Sequence, residues 1–225
     1  MVIKKKISDF TSIIGNVAQS SHYQVFFGGL SSGLFGHLNG KGVNKRFITE
    51  NAGLLCSSAS IPGSSLATTD IIGNYMGVQE KMAHTRLFTE LTLEFYVDKD
   101  YKLIKFLEHW MEYISNGSGE DVTNPGYYYR MRYPRDAESG YKADKTKIVK
   151  FDRDYRKEIE YTFYGLFPIN FASTPVQYGN SDVLRASCVF NYERYIAGKE
   201  TSISSMRGDS QNSNPLGLVK GLIGL

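Results

Sequence analysis

Between Thr89 and Val97 apolar residues occupy every second position: Leu91, Leu93, Phe95 and Val97 alternate with Thr92, Glu94 and Tyr96. A period of two sends the two sets to opposite sides of a strand, so this segment is stable only as a half-buried strand of a sheet. Asp98-Lys99-Asp100 interrupts it, and the period then changes. Leu103, Ile104, Leu107, Trp110, Met111 and Ile114 fall on one helical face, while Lys102, Lys105, Glu108 and Glu112 point away. The acidic residues before it can cap such a helix and Asn116-Gly117 can end it, which predicts a central helix over about 99–115. A strand and a helix that each carry one apolar face bury those faces together, which points to a β-rich α+β domain.

The same reading extends along the chain. Strands are expected at His22–Phe27, closed by Gly28-Gly29, and at 53–60, closed by Ile61-Pro62-Gly63. A short strand or hairpin is expected near 69–78, followed later by strands at Tyr127–Tyr133 and Lys147–Phe151. A tight turn at Asp152–Tyr155 leads to a hairpin partner, Glu158–Leu166, which Phe167-Pro168-Ile169-Asn170 ends. The last long strand is read as Val183–Tyr195, with Leu184, Ala186, Cys188, Phe190 and Tyr192 on its apolar side. Residues 30–50 and 134–145 read as loops, the first a long ordered insertion. Residues 1–197 thus form one domain with residues 1–20 as a docking segment, in which Phe10, Ile13, Ile14 and Val17 share a helical face. Residues 198–225 form a tail: a polar, flexible tether over 201–214 and an apolar tip with Leu218, Val219, Leu222 and Ile223. These eight side chains are the candidate assembly residues.

Composition narrows the function. The 26 Lys and Arg against 23 Asp and Glu give a net charge of +3, too small to recruit nucleic acid or an acidic membrane through a general field. The 16 Tyr, 13 Phe and scarce Pro favour strands over a helical bundle. Cys56 and Cys188 are far apart in apolar settings, which excludes a disulfide scaffold and reads as two buried thiols of a protein folded in a reducing compartment. Polar residues soon after the basic start argue against a cleaved signal, and no apolar run approaches the about 18 residues of a membrane span.

No catalytic constellation emerges. The histidines at 22, 37, 84 and 109 make no HxH or HExxH, and Glu80 with His84 lies in a poorly helical stretch, so no metal or cofactor site is expected. There is no G-x-S-x-G and no phosphate loop, and the carboxylates alternate along strands as on a solvated face. Tyr127-Tyr-Tyr-Arg-Met-Arg-Tyr133 mixes basic and aromatic residues as a single-strand nucleic-acid platform does. The low net charge and the spread of the other aromatics favour a Tyr-rich core or interface strand instead.

The order of these elements resembles one family. An amphipathic segment precedes a strand, and another strand ends at Ile61-Pro62-Gly63. Phe95-Tyr-Val-Asp-Lys-Asp100 joins a strand to a Trp-bearing helix, a hairpin closes with Gly165-Leu-Phe-Pro168, and Phe190-Asn-Tyr-Glu-Arg-Tyr195 follows. Over roughly residues 8–197 this resembles the tail-tube proteins of contractile-tailed bacteriophages. The insertion at 30–50 and the tail at 198–225 make it most like the baseplate tail-tube initiators of cyanophages, with the tube protein proper as the alternative. The resemblance implies a tail-tube-type β-sandwich or barrel that closes into a hexameric ring of the virion tail, made in the host cytoplasm. Such a ring would contact other copies of itself, the adjacent tube ring and the baseplate hub, with the sheath a further candidate neighbour. DNA would pass through its lumen without sequence-specific binding. No enzyme activity and no cofactor would be involved. A soluble β-barrel that binds a ligand or nucleic acid is the reading from a different class.

Overall fold

The computed structural model describes residues 7, 18–73, 77–115, 131–136, 138–155, 157–172, 174–176, 178–179, 182–198 and 201–202. These divide into two units, a larger one of Gln24–Ile148 with Tyr161–Ala197 and a smaller one drawn from Met1–Tyr23, Val149–Glu160 and Gly198–Leu225. The fold is mostly β-sheet with few helices. The strands are β1 (Tyr23–Phe26), β2 (Cys56–Ala59), β3 (Ser64–Ile71), β4 (Glu80–Phe88), β5 (Leu91–Tyr96) and β6 (Thr146–Phe151). They continue with β7 (Lys157–Tyr164), β8 (Phe167–Phe171), β9 (Arg185–Asn191), β10 (Arg194–Ala197) and β11 (Thr201–Ser202). The helices are α1 (Ser32–Gly40), one π-helical turn at Phe47–Asn51, and α2 (Lys102–Ile114). One sheet runs β1-β6-β7-β10 with β11 also on β7, a second runs β2-β5-β9-β8, and β3 pairs with β4 in a separate two-stranded ribbon. Among the described residues neither sheet closes into a barrel.

In the larger unit, β5 keeps its period: Leu91, Leu93 and Phe95 are buried and alternate with more exposed neighbours. Helix α2 starts where Asp98 Oδ1 accepts a hydrogen bond from the Leu103 amide at 3.0 Å, while Tyr101 adopts the left-handed region at φ 56°. Its buried stripe is Leu103, Phe106, Leu107, Trp110 and Tyr113, whereas Ile104, Met111 and Ile114 are only half-buried. The face is therefore rotated from the expected one, because the two aromatic rings carry more apolar area than the aliphatics they displace. Phe27, Phe106, Trp110 and Phe190 form one ring cluster, with centroids from 5.3 to 6.5 Å apart. The Trp110 indole N–H donates to the Tyr141 carbonyl at 2.9 Å, so its polar edge is satisfied inside the core.

Residues 30–50 are not a loop. Ser31 Oγ accepts from the Leu34 amide at 3.2 Å, an N-cap that opens α1, and Leu34 and Leu38 lie one above the other, fully buried. The glycines at 33, 36 and 40 mask this helix in the sequence, since each lowers helix propensity. Gly33 is required: its amide donates to the Glu138 carbonyl at 2.7 Å, and a Cβ there would sit 2.6 Å from the same oxygen.

Two further corrections concern strands that change sheets. Phe167–Asn170 does not end a hairpin. Gly165, at φ +69°, turns the chain out of β7 and into β8 of the other sheet. The expected single strand at Val183–Tyr195 is likewise two: β9 lies between β5 and β8, and after Tyr192-Glu193 the chain returns to β7 as β10. A strand that keeps its alternation through a corner leaves no trace of the corner in its pattern. Cys188 is buried and its thiol is pushed up to about 12 by burial, but Cys56 is only half-buried.

In the smaller unit the Phe151 amide donates to the His22 carbonyl at 2.8 Å and the His22 ring meets the Tyr155 hydroxyl at 2.9 Å. Thr201–Ser202 pair antiparallel with Lys157–Glu158, so the expected flexible tether begins with a strand. The expected N-terminal helix lies outside the described residues apart from Ile7, which is helical and exposed.

Candidate assembly surface

The hairpin of β3 and β4 is the most exposed pair of strands. Its register runs from Ser64 opposite Phe88 to Ile71 opposite Glu80, with a bulge between Ala67 and Thr68. It is far longer than the short hairpin expected near 69–78, because Ser64–Asp70 is mostly small and polar and lacks the apolar alternation that announces a strand. Residues opposite one another share a face, so Leu87 (opposite Ser65), Ala67, Met82 (opposite Thr69) and Ile71 lie on one side. Leu87 is 50% exposed and Met82 is 55% exposed. The other side is anchored at its base, where Phe88 meets Tyr195 at 5.4 Å and the Arg86 guanidinium lies over the rings of both Phe88 and Tyr195. A two-stranded ribbon that holds apolar side chains in water is marginal alone, and among the described residues β3 and β4 pair with no further strand.

The two sheet-changing corners meet at Glu193. Its carboxylate accepts from Arg135 Nη2 at 2.7 Å and Lys142 Nζ at 2.8 Å, and its amide donates to the Tyr164 carbonyl at 3.0 Å. Hydrogen bonds from Arg135 and then Lys142 hold its pKa at about 2. An open cleft of about 380 Å³ beside it is lined by Ser31, Arg135, Lys142 and Asp144 among others. Its cations are already matched, Arg135 also by Asp144 at 3.2 Å, so the cluster braces the corners rather than presenting free charge to a ligand.

A third cluster joins the two helices. His109 and Glu112 are three apart on α2, and His109 Nδ1 lies 2.6 Å from Glu112 Oε2. His37 of α1 places Nε2 3.7 Å from the same oxygen, beyond hydrogen-bond reach. That ring nitrogen is buried and has no hydrogen-bond partner among the described residues. Lys41 Nζ approaches the other oxygen, Oε1, at 3.6 Å. Burial, the largest influence, lowers the pKa of His37. Burial raises that of Glu112, but the His109 hydrogen bond and the Lys41 charge outweigh it and leave the carboxyl below its ordinary range. Sequence spacing does not show this cluster, because His37 sits on α1, whose glycines hide the helix. His109 and Glu112, three apart on a strongly patterned helix, were the visible half of it.

Other sequence candidates fall apart. Glu80 and His84 are on β4, where four residues span about 13 Å, so they cannot share an ion. Of the Tyr-rich stretch, 127–130 lies outside the described residues, and Arg132 stacks on the Tyr113 ring at 4.0 Å. Phe10, Ile13, Ile14, Val17, Leu218, Val219, Leu222 and Ile223 all lie outside the described residues.

The sequence profile of the family described as "Phage tail tube protein" matches residues 18–198. No curated protein matches the chain in sequence. Among solved structures, the sheath/tube terminator of the PVC extracellular contractile injection system is similar over 81% of this chain and 96% of its own, at 12% identity and a TM-score of 0.48. The sheath–tube complex of that system matches over 87% and 99%, at 11% identity and a TM-score of 0.47. Hcp1 from Salmonella typhimurium matches over 82% and 97%, at 11% identity and a TM-score of 0.36.

Proposed function

The chain belongs to the phage tail tube protein family, and on that premise we propose that it is a non-enzymatic subunit of a contractile phage tail, closing with five other copies into a ring around the DNA channel. The observation that carries this reading is the β3–β4 hairpin, whose Leu87, Met82 and Ile71 face calls for a cover that a second copy of the chain would supply. A head-to-tail contact of this kind closes into a ring when the rotation between copies permits, and stacked rings make a tube. The ring's neighbours would be other copies, the adjacent tube ring, the baseplate hub and the sheath. The extra segments at 30–50 and 198–225 support a place in the first rings on which the tube grows, as in the baseplate initiators of cyanophages. Phe10, Ile13, Ile14 and Val17, with Leu218, Val219, Leu222 and Ile223, would then serve as terminal docking residues.

The hairpin itself offers the test. Leu87→Lys with Met82→Lys replaces two exposed apolar side chains of that face by charges while leaving the base at Phe88 and Tyr195 alone. The expected variant melts within a few degrees of the wild type but stays monomeric by light scattering where the wild type assembles. A variant that still assembles would contradict the reading. Isolated rings formed by the wild type alone favour the initiator, and long tubes favour the tube protein proper.

A further inference from the structure

We propose that His37, His109 and Glu112 form a binding site for a divalent transition-metal ion of the zinc class, which ties α1 to α2. One ligand atom from each side chain lies within 4.8 Å of the other two. Tetrahedral coordination at 2.0–2.1 Å asks for ligand atoms about 3.4 Å apart. The His37–Glu112 edge, at 3.7 Å, is already near that value. The His109–Glu112 edge opens from its 2.6 Å hydrogen bond to reach that value. Two imidazoles and one carboxylate suit zinc and its transition-metal neighbours better than calcium or magnesium, which prefer oxygen alone.

The second observation is His37 Nε2. It is buried, lies 3.7 Å from Glu112 Oε2 and has no hydrogen-bond partner among the described residues. A buried unpaired ring nitrogen is costly, and an ion bound through its lone pair satisfies it. Lys41 opposes a cation here, but its ammonium lies on Oε1, so Oε2 is the oxygen left for the ion. Three protein ligands leave one position for water. The ion would fasten α1 to the central helix at a cross-link outside the hydrophobic core. This inference stands apart from the assembly reading, since it concerns contacts within one subunit.

The test titrates Zn²⁺ into the full chain after treatment with a chelator, with Co²⁺ as a spectroscopic probe of coordination. One equivalent is expected to bind, with the strong visible absorption of tetrahedral Co²⁺. At about a hundredfold excess over Kd, Tm should rise by roughly 5–10 °C. His37→Gln and, independently, His109→Asn should each weaken binding by more than the about 10–100-fold typical of a group that only supports a ligand. Circular dichroism establishes that each variant is folded, and His84→Gln on the exposed β4 serves as a control that keeps wild-type affinity. Absence of stoichiometric binding, unchanged affinity in folded His37→Gln, or loss of binding in His84→Gln would each overturn the proposal.

Discussion

Glu193 shows how much one side chain can carry that no local pattern reveals. It follows Tyr192 where the chain leaves β9, and its carboxylate reaches Arg135 and Lys142, which lie more than fifty residues away in sequence. Alternation along 183–195 makes it look like any solvated position of a strand. The pKa of about 2, against an ordinary 4.5, fixes the direction of its effect. The folded state favours the ionised form, so the contribution is present above pH 4.5 and is lost as pH falls through 2. The carboxylate is 45% exposed and solvent screens it, so the contribution is about 1 kcal/mol rather than that of a buried pair. Glu193→Gln is expected to lower stability by that amount at pH 7, with the difference from wild type shrinking towards zero between pH 4.5 and 2 in chemical denaturation. A difference that stays constant with pH would assign the cost to packing instead.

At the scale of elements, legibility followed periodicity. β5 and α2 were readable because each has one apolar face against one polar face, and burial alone then decides their placement. Even there, the sequence could not say that Phe106 and Tyr113 outrank Ile104 and Ile114, since both sets lie near the same stripe. α1 leaves little trace in the sequence because its glycines suppress local propensity, and its two buried leucines act only through tertiary contact. The β3–β4 hairpin is faint in the sequence because an exposed ribbon has no core to write an apolar period. Docking of α2 is tested at Trp110, which is fully buried and donates to the Tyr141 carbonyl. Trp110→Ala should cost about 3–5 kcal/mol in urea denaturation, from lost ring packing and the void it leaves. A loss below about 1 kcal/mol would make the helix peripheral to the core.

For the whole molecule, the β-rich class and the family are legible from the order of elements, which does not depend on where individual strands begin and end. The candidate sites were less so. The sequence drew attention to the apolar termini, whereas the described structure draws it to a hairpin face and to a His–His–Glu cluster between helices. Both depend on pairings across the chain that spacing alone cannot report. The central claim is that the chain is built to close on copies of itself, and it is tested most directly by the mass and symmetry of the purified particle. Light scattering coupled to size exclusion, with negative-stain images of the same fraction, is predicted to give six times the 25.3 kDa protomer or a multiple of it, as rings with a central channel and six-fold symmetry. A monodisperse monomer at concentrations up to those of an assembling tail would contradict the account.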